Sequence, residues 1–208
     1  MKPPVSISVS NAGFWSAVLS VIFAIGYCVP QILSAAKILP YPHDMFWLFL
    51  PSLFLATVFV ITMVCLHYAV DENVKIWTAL GVSFALIYAP LVSLVYFTQL
   101  TVVLPALFRG EINETHVLSF PGRSFLMAVD CLGYFFMSLS TLFASFAFRN
   151  NSTIWLYRGL FWNGVLMPVL VLAFFYPAFY YIGALWMFTF PLAMINAAKY
   201  FQQPLNVK

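Results

Sequence analysis

The sequence predicts an all-α polytopic membrane protein, a bundle of six transmembrane helices. Three observations carry that prediction. Hydrophobic residues make up 63% of the 208-residue chain and charged residues only 7%, whereas a soluble domain uses about 25% charge to cover its surface. The mean hydropathy is +0.96, and 23 Phe, 11 Tyr and 6 Trp add an aromatic load that suits lipid and its interfaces. The apolar runs are also long enough: about 20 residues, rising about 1.5 Å each, cross a hydrocarbon core of about 30 Å.

In chain order, the predicted spans cover about 12–36, 45–70, 76–107, 124–148, 154–175 and 177–200. The last two come from one charge-free run from Gly159 to Ala198. A single helix of that length would measure about 60 Å, twice the core thickness. The chain is therefore expected to fold back at Phe175-Tyr176-Pro177, where proline resists helix continuation. The connections are short, the longest running from Phe108 to Arg123. None is long enough to bury a core of its own, so the whole chain reads as one transmembrane domain and any binding or chemistry belongs to the bundle.

Charge asymmetry orients the bundle. With the N-terminus inside, the inner side holds Lys2, Lys75, Arg149, Arg158, Lys199 and Lys208, and the outer side Lys37, Arg109 and Arg123. The positive-inside rule then places both termini in the cytoplasm of a multi-pass cell-membrane protein. Trp15, Trp47, Trp77 and Trp155 stand near span starts, as an interfacial aromatic belt requires. Cys28, Cys65 and Cys131 all fall inside spans and imply no disulfide framework.

Polar residues inside lipid turn inward, so their angular placement reads out the buried face. At about 100° per residue, Asp130, Tyr134, Ser138, Thr141 and Ser145 share an arc of about 80° on span four. Ser16, Ser20, Tyr27, Gln31 and Ser34 share about 60° on span one, and Gly81, Ala85, Tyr88, Tyr96 and Gln99 about 80° on span three. Spans one and three run parallel and span four returns. Gln31 and Gln99 lie late in their helices and Asp130 early in its own, so all three are expected in the same third of the bilayer.

Asp130 is the one acid well inside a predicted span. A carboxylate at a helix centre costs roughly 2.5–3.5 kcal/mol on insertion scales unless it is paired, hydrated or protonated. No Lys or Arg stands mid-span to pair with it. Tyr27, Gln31, Tyr96, Gln99 and Tyr134 are its expected partners, and with Asp130 they form the candidate ligand-binding set. The competing account is packing: polar side chains between membrane helices often act as glue worth about 0.6 kcal/mol each. For the Ser and Thr positions alone, glue is the stronger account.

Other chemistries lack their parts. Only His67 of the three histidines lies inside a span, which argues against a membrane haem, and its expected place is among lipid headgroups. No H-E-x-x-H, Cys/His cluster, G-x-S-x-G elbow or Walker loop is present. No cofactor, metal, catalytic residue or nucleic-acid partner is therefore expected; the expected partners are the lipid bilayer and a small-molecule or ion ligand. Gly26-Tyr27-Cys28-Val29-Pro30-Gln31 carries a Pro-Gln pair that resembles the PQ-loop class of small transporters over six residues. That class normally shows two such pairs in a seven-helix or three-helix plan. With one pair and six predicted helices, the pair is read as a kink in span one beside Gln31.

Three functional readings follow. The first is a small-solute or ion-coupled carrier or ligand-binding protein with a pocket around Asp130. The second is a non-catalytic membrane subunit or assembly factor whose polar seam is structural. The third, an intramembrane enzyme, is the least supported, because one acid without a His or second carboxylate beside it leaves general acid–base chemistry half-equipped.

Overall fold

A computed structural model describes residues 6–111, 118, 120, 124–166, 172, 175–176 and 178–203. Among them the chain is helical, with no strand. The first helix, α1 (Ile7–Ala35), starts ahead of the predicted 12 because Ser6 caps it, its hydroxyl accepting from the Val9 N–H at 3.3 Å. It ends in a tight reversal: the Ile38 N–H reaches back to the Leu33 carbonyl and Lys37 takes a left-handed φ of 61°. The next helix, α2 (His43–Tyr68), begins two residues before the predicted start and brings Asp44 into its first turn. That small shift matters below.

The third span is a composite: α3 (Lys75–Thr98), a π-helical turn (Gln99–Val103) and α4 (Leu104–Arg109). The Leu104 N–H reaches the Gln99 carbonyl five residues back. The wide turn immediately precedes Pro105, which has no N–H to continue the α-helical ladder. The fourth span is α5 (Phe125–Ser145), capped by Ser124, whose hydroxyl accepts from the Met127 N–H at 3.1 Å. The fifth begins as α6 (Ile154–Leu166); the predicted remainder falls largely outside the described residues. Around the predicted fold-back, Phe175 and Tyr176 sit in a turn on the Leu172 carbonyl, and Pro177 lies outside the described residues. The sixth span comprises α7 (Phe179–Ala184) and α8 (Trp186–Gln202).

Among the described residues, five helical segments are long and apolar enough to cross a membrane: Ile7–Ala35, His43–Tyr68, Glu72–Arg109, Phe125–Phe148 and Tyr181–Gln202. With α6 they form a ring in which α1 packs on α2, α2 on α3, α3 on α5, α5 on α6 and α6 on α8, and α8 returns to α1. The Ser10 hydroxyl closes the ring by donating to the Phe201 carbonyl at 2.8 Å, and the Phe201 ring fills the space beside Gly13. The outer faces are apolar. Ile22, Ile25, Val29 and Ile32 of α1, Leu86 and Leu94 of α3, and Phe188 and Leu192 of α8 all point away from the bundle, where lipid solvates them.

Inside the ring runs a column of aromatic contacts. Phe59 meets Tyr88 at 5.5 Å and Phe190 at 5.8 Å, Tyr88 meets Tyr134 at 6.2 Å, and Trp186 packs edge-on against Tyr27 at 5.8 Å and Tyr134 at 5.5 Å. These offset and edge-to-face pairs are the preferred geometries of ring quadrupoles. They tie α1, α2, α3, α5 and α8 together beneath the candidate site.

Candidate functional site

Four of the expected site residues meet Asp130 in one cavity. A void of about 150 Å³ is lined by Asp130, Gln31, Tyr27, Tyr96 and Tyr134, joined by Asp44, Tyr41, Phe49 and Phe120. A second void, of about 340 Å³, shares Tyr27, Gln31, Phe120, Asp130 and Tyr134 and extends past Cys131 to Trp186 and Met187. The local reasons are those that sort any membrane helix: on α5 the Asp130 and Tyr134 face turns to the bundle while Leu132 turns out. On α1, Tyr27 and Gln31 are one turn apart and flank buried Pro30.

Asp130 is 7% exposed, and its Oδ1 has no hydrogen-bond partner among the described residues. The Tyr96 hydroxyl lies beside its carboxyl, and Tyr27, Tyr88 and Tyr134 are all within electrostatic reach. Tyr96 also donates to the Tyr134 hydroxyl at 3.1 Å. The acid therefore sits under a roof of phenols with an acceptor oxygen unused.

Gln99 departs from the expected set. It is fully buried but lines neither cavity. Its Nε2 donates to the Leu118 carbonyl at 2.7 Å, and its Oε1 is left without a partner. Gln99 stands three residues beyond Tyr96, about 4.5 Å further along the axis. At that level a loop carbonyl, rather than Asp130, takes the amide. The Ser124 hydroxyl holds the Phe120 carbonyl at 3.1 Å. Phe120 is thus tethered on both sides while its ring packs on Phe49 at 5.1 Å and lines both voids.

Asp44 is the residue that sequence reasoning missed. It is 8% exposed, its Oδ2 accepts from the Ser34 hydroxyl at 2.6 Å, and its Oδ1 has no partner. Burial, and then the nearby Asp44 charge, push the Tyr41 phenol above its usual range. Asp130 therefore does not stand as a lone acid: a second carboxylate lines the same cavity. Pro42 followed by an acid two residues later is a helix-start signal that would have brought Asp44 into span two. Trp186 was missed as well. It is buried, lines the larger void, and has an indole N–H without a partner among the described residues; nothing in its charge-free surroundings marks it out.

The remaining polar seam is mostly satisfied by backbone. Ser20, Ser52, Ser138, Thr141 and Ser145 each donate to a carbonyl of their own helix. Other groups join helices: Ser140 donates to the Gly81 carbonyl at 2.7 Å, and Tyr200 to the Ala69 carbonyl at 2.6 Å. Asn163 bridges three helices, donating to Thr141 at 3.1 Å and accepting from Thr189 at 3.2 Å. His67 pairs with Thr78 Oγ1 at 3.1 Å through Nδ1 instead of facing headgroups alone. No group of three or more His, Cys, Asp or Glu that would hold a metal ion occurs among the described residues.

Neither a family model, nor a curated protein, nor a solved structure matches this chain. The reading of the site therefore rests on its own geometry.

Proposed function

We propose that this membrane protein binds a small solute in the cavity around Asp130, as a carrier or a ligand-binding protein. One observation supports this reading above the others: Asp130 and Asp44 line one void together with Gln31 and four tyrosines, and each keeps a buried carboxylate oxygen without a hydrogen-bond partner among the described residues. The Ser and Thr seam, by contrast, is satisfied within its own helices. Two buried carboxylates left half-satisfied beside a void fit a site in which a ligand completes their hydrogen bonding once the carboxyls turn toward it. Gln31 near the end of α1, Asp44 at the start of α2 and the Phe120 loop place the cavity toward the side of the connection between α4 and α5. Under the positive-inside reading that side is the outer one, and a fluorescent protein fused after Lys208 is expected in the cytoplasm.

The test is a thermal-shift screen of small polar solutes on the purified chain. A ligand at about 100 times its Kd stabilises a protein by about 2.7 kcal/mol. At least one solute should stabilise the parent chain and lose that effect in Asp130→Asn. If every stabilising solute acts equally on both, the cavity is not the binding site. A stoichiometric partner protein co-purifying in mild detergent, with no solute response, would favour the subunit reading instead.

A further inference from the structure

We propose that the cavity's ligand is an organic cation, a small primary or secondary ammonium with a short apolar tail. The inference rests on the solute-pocket reading above and adds the chemical class.

The walls carry formal negative charge from Asp44 and Asp130, and among the described residues no Lys, Arg or His lines either void. Both acids are more than nine-tenths buried, and their free Oδ1 atoms are acceptors without donors. An ammonium supplies both the missing charge and the missing N–H groups, and charge-assisted hydrogen bonds are the stronger kind. Position at the start of α2 and the bond from Ser34 account for Asp44 Oδ2. They leave Oδ1 unexplained.

The other surfaces fit the same ligand. Tyr27, Tyr96, Tyr134, Phe49 and Phe120 present rings around the acids, and Trp186 lines the adjoining void. Aromatic faces attract organic cations, tryptophan most strongly, and pack against alkyl groups. A hard metal ion wants six or more oxygen ligands, chiefly carboxylates, carbonyls and water; beside the two carboxylates and Gln31, the described walls of the smaller void are aromatic and aliphatic. An anion would meet two carboxylates and, among the described lining residues, no cation. An apolar cavity of about 150 Å³ holds benzene, so the smaller void suits a group of about six heavy atoms.

Cys131 lines the larger void and is 7% exposed, which makes it a built-in reporter. With Cys28→Ala and Cys65→Ala it is the one remaining thiol of the chain's three. The experiment measures its labelling by methyl methanethiosulfonate, a small neutral reagent, on the full chain in lipid nanodiscs. Butylammonium, butan-1-ol and butyrate serve as competitors of matched size. Butylammonium should slow labelling at a concentration roughly tenfold or more below the other two, as expected when charge-assisted bonds replace neutral ones. Asp44→Asn, far in sequence from the reporter, should narrow that gap. Asp130→Asn should do the same wherever it remains monodisperse.

If Cys131 labels but butylammonium protects no better than butan-1-ol or butyrate, the cation assignment is overturned and the solute pocket survives. If Cys131 labels neither at neutral pH nor at about pH 9.5, where a buried thiol supplies more thiolate, small molecules do not enter the void and both readings fall.

Discussion

The Tyr96 hydroxyl donates to the Tyr134 hydroxyl at 3.1 Å, joining the α3 and α5 walls of the cavity. The same Tyr96 hydroxyl lies beside the Asp130 carboxyl, so one phenol faces two acceptors and can donate to one at a time. A ligand on Asp130 would leave Tyr96 to Tyr134; without one, Tyr96 has a choice.

That geometry predicts unequal effects for two conservative substitutions. Tyr134→Phe removes one acceptor, but Tyr96 keeps Asp130. Tyr96→Phe removes the donor that both neighbours use. Each change should lower unfolding free energy by about 0.5–1.5 kcal/mol, with Tyr96→Phe the larger. A double-mutant cycle in detergent measures the coupling, and a coupling of zero would mean the bond contributes nothing.

Gln99 predicts a separation of stability from loop order. Gln99→Leu removes a buried amide whose Oε1 is unpartnered, which offsets the loss of its bond to Leu118. Unfolding stability should therefore change by less than about 1 kcal/mol. Amide hydrogen exchange near Leu118 and Phe120 should nevertheless speed up, because their tether is gone. Unchanged exchange in that segment would show that Gln99 does not hold it.

Much of this fold was legible because lipid leaves few choices. Long apolar runs had to be helices, and sorted polar faces on spans one, three and four had to turn inward. Asp130, Tyr27, Gln31, Tyr96 and Tyr134 do meet at one cavity. What escaped the reading did so for physical reasons. The charge of Asp44 ends the apolar run at Met45, so it reads as a loop residue, although its helix begins at His43. A helical wheel gives angle but not reach, so Gln99 shared a face with Tyr96 yet found a carbonyl one turn beyond. Trp186 counts as apolar in any hydropathy window, which hides its N–H.

Asn163 provides the contrast between glue and pocket. It joins Thr141 of α5 and Thr189 of α8 from its place on α6 and lines neither of the voids at Asp130. Asn163→Leu, close in shape, loses two interhelical bonds at about 0.6 kcal/mol each, a total near 1 kcal/mol. Thermal unfolding should report that loss, while the solute response of the Asp130 cavity should remain as in the parent. Loss of binding in Asn163→Leu at full stability would mean the two polar regions are coupled.

Two glycines set how closely α5 approaches its neighbours, and they predict different responses to repair. A methyl on Gly133 would stand 2.5 Å from Val92 Cγ1, the end of a side chain on α3. A methyl on Gly164 would stand 2.6 Å from the Leu142 backbone nitrogen and 2.7 Å from its Cα. Overpacking of this kind costs about 1–3 kcal/mol. Adding Val92→Ala to Gly133→Ala removes the obstructing methyl and should recover most of the loss. Adding Leu142→Ala to Gly164→Ala leaves the backbone where it is, so α5 and α6 must still part and the second defect should add to the first. Unfolding midpoints of the two pairs distinguish the cases: equal recovery in both would show that α6 yields to a methyl without cost, contrary to close packing at Gly164.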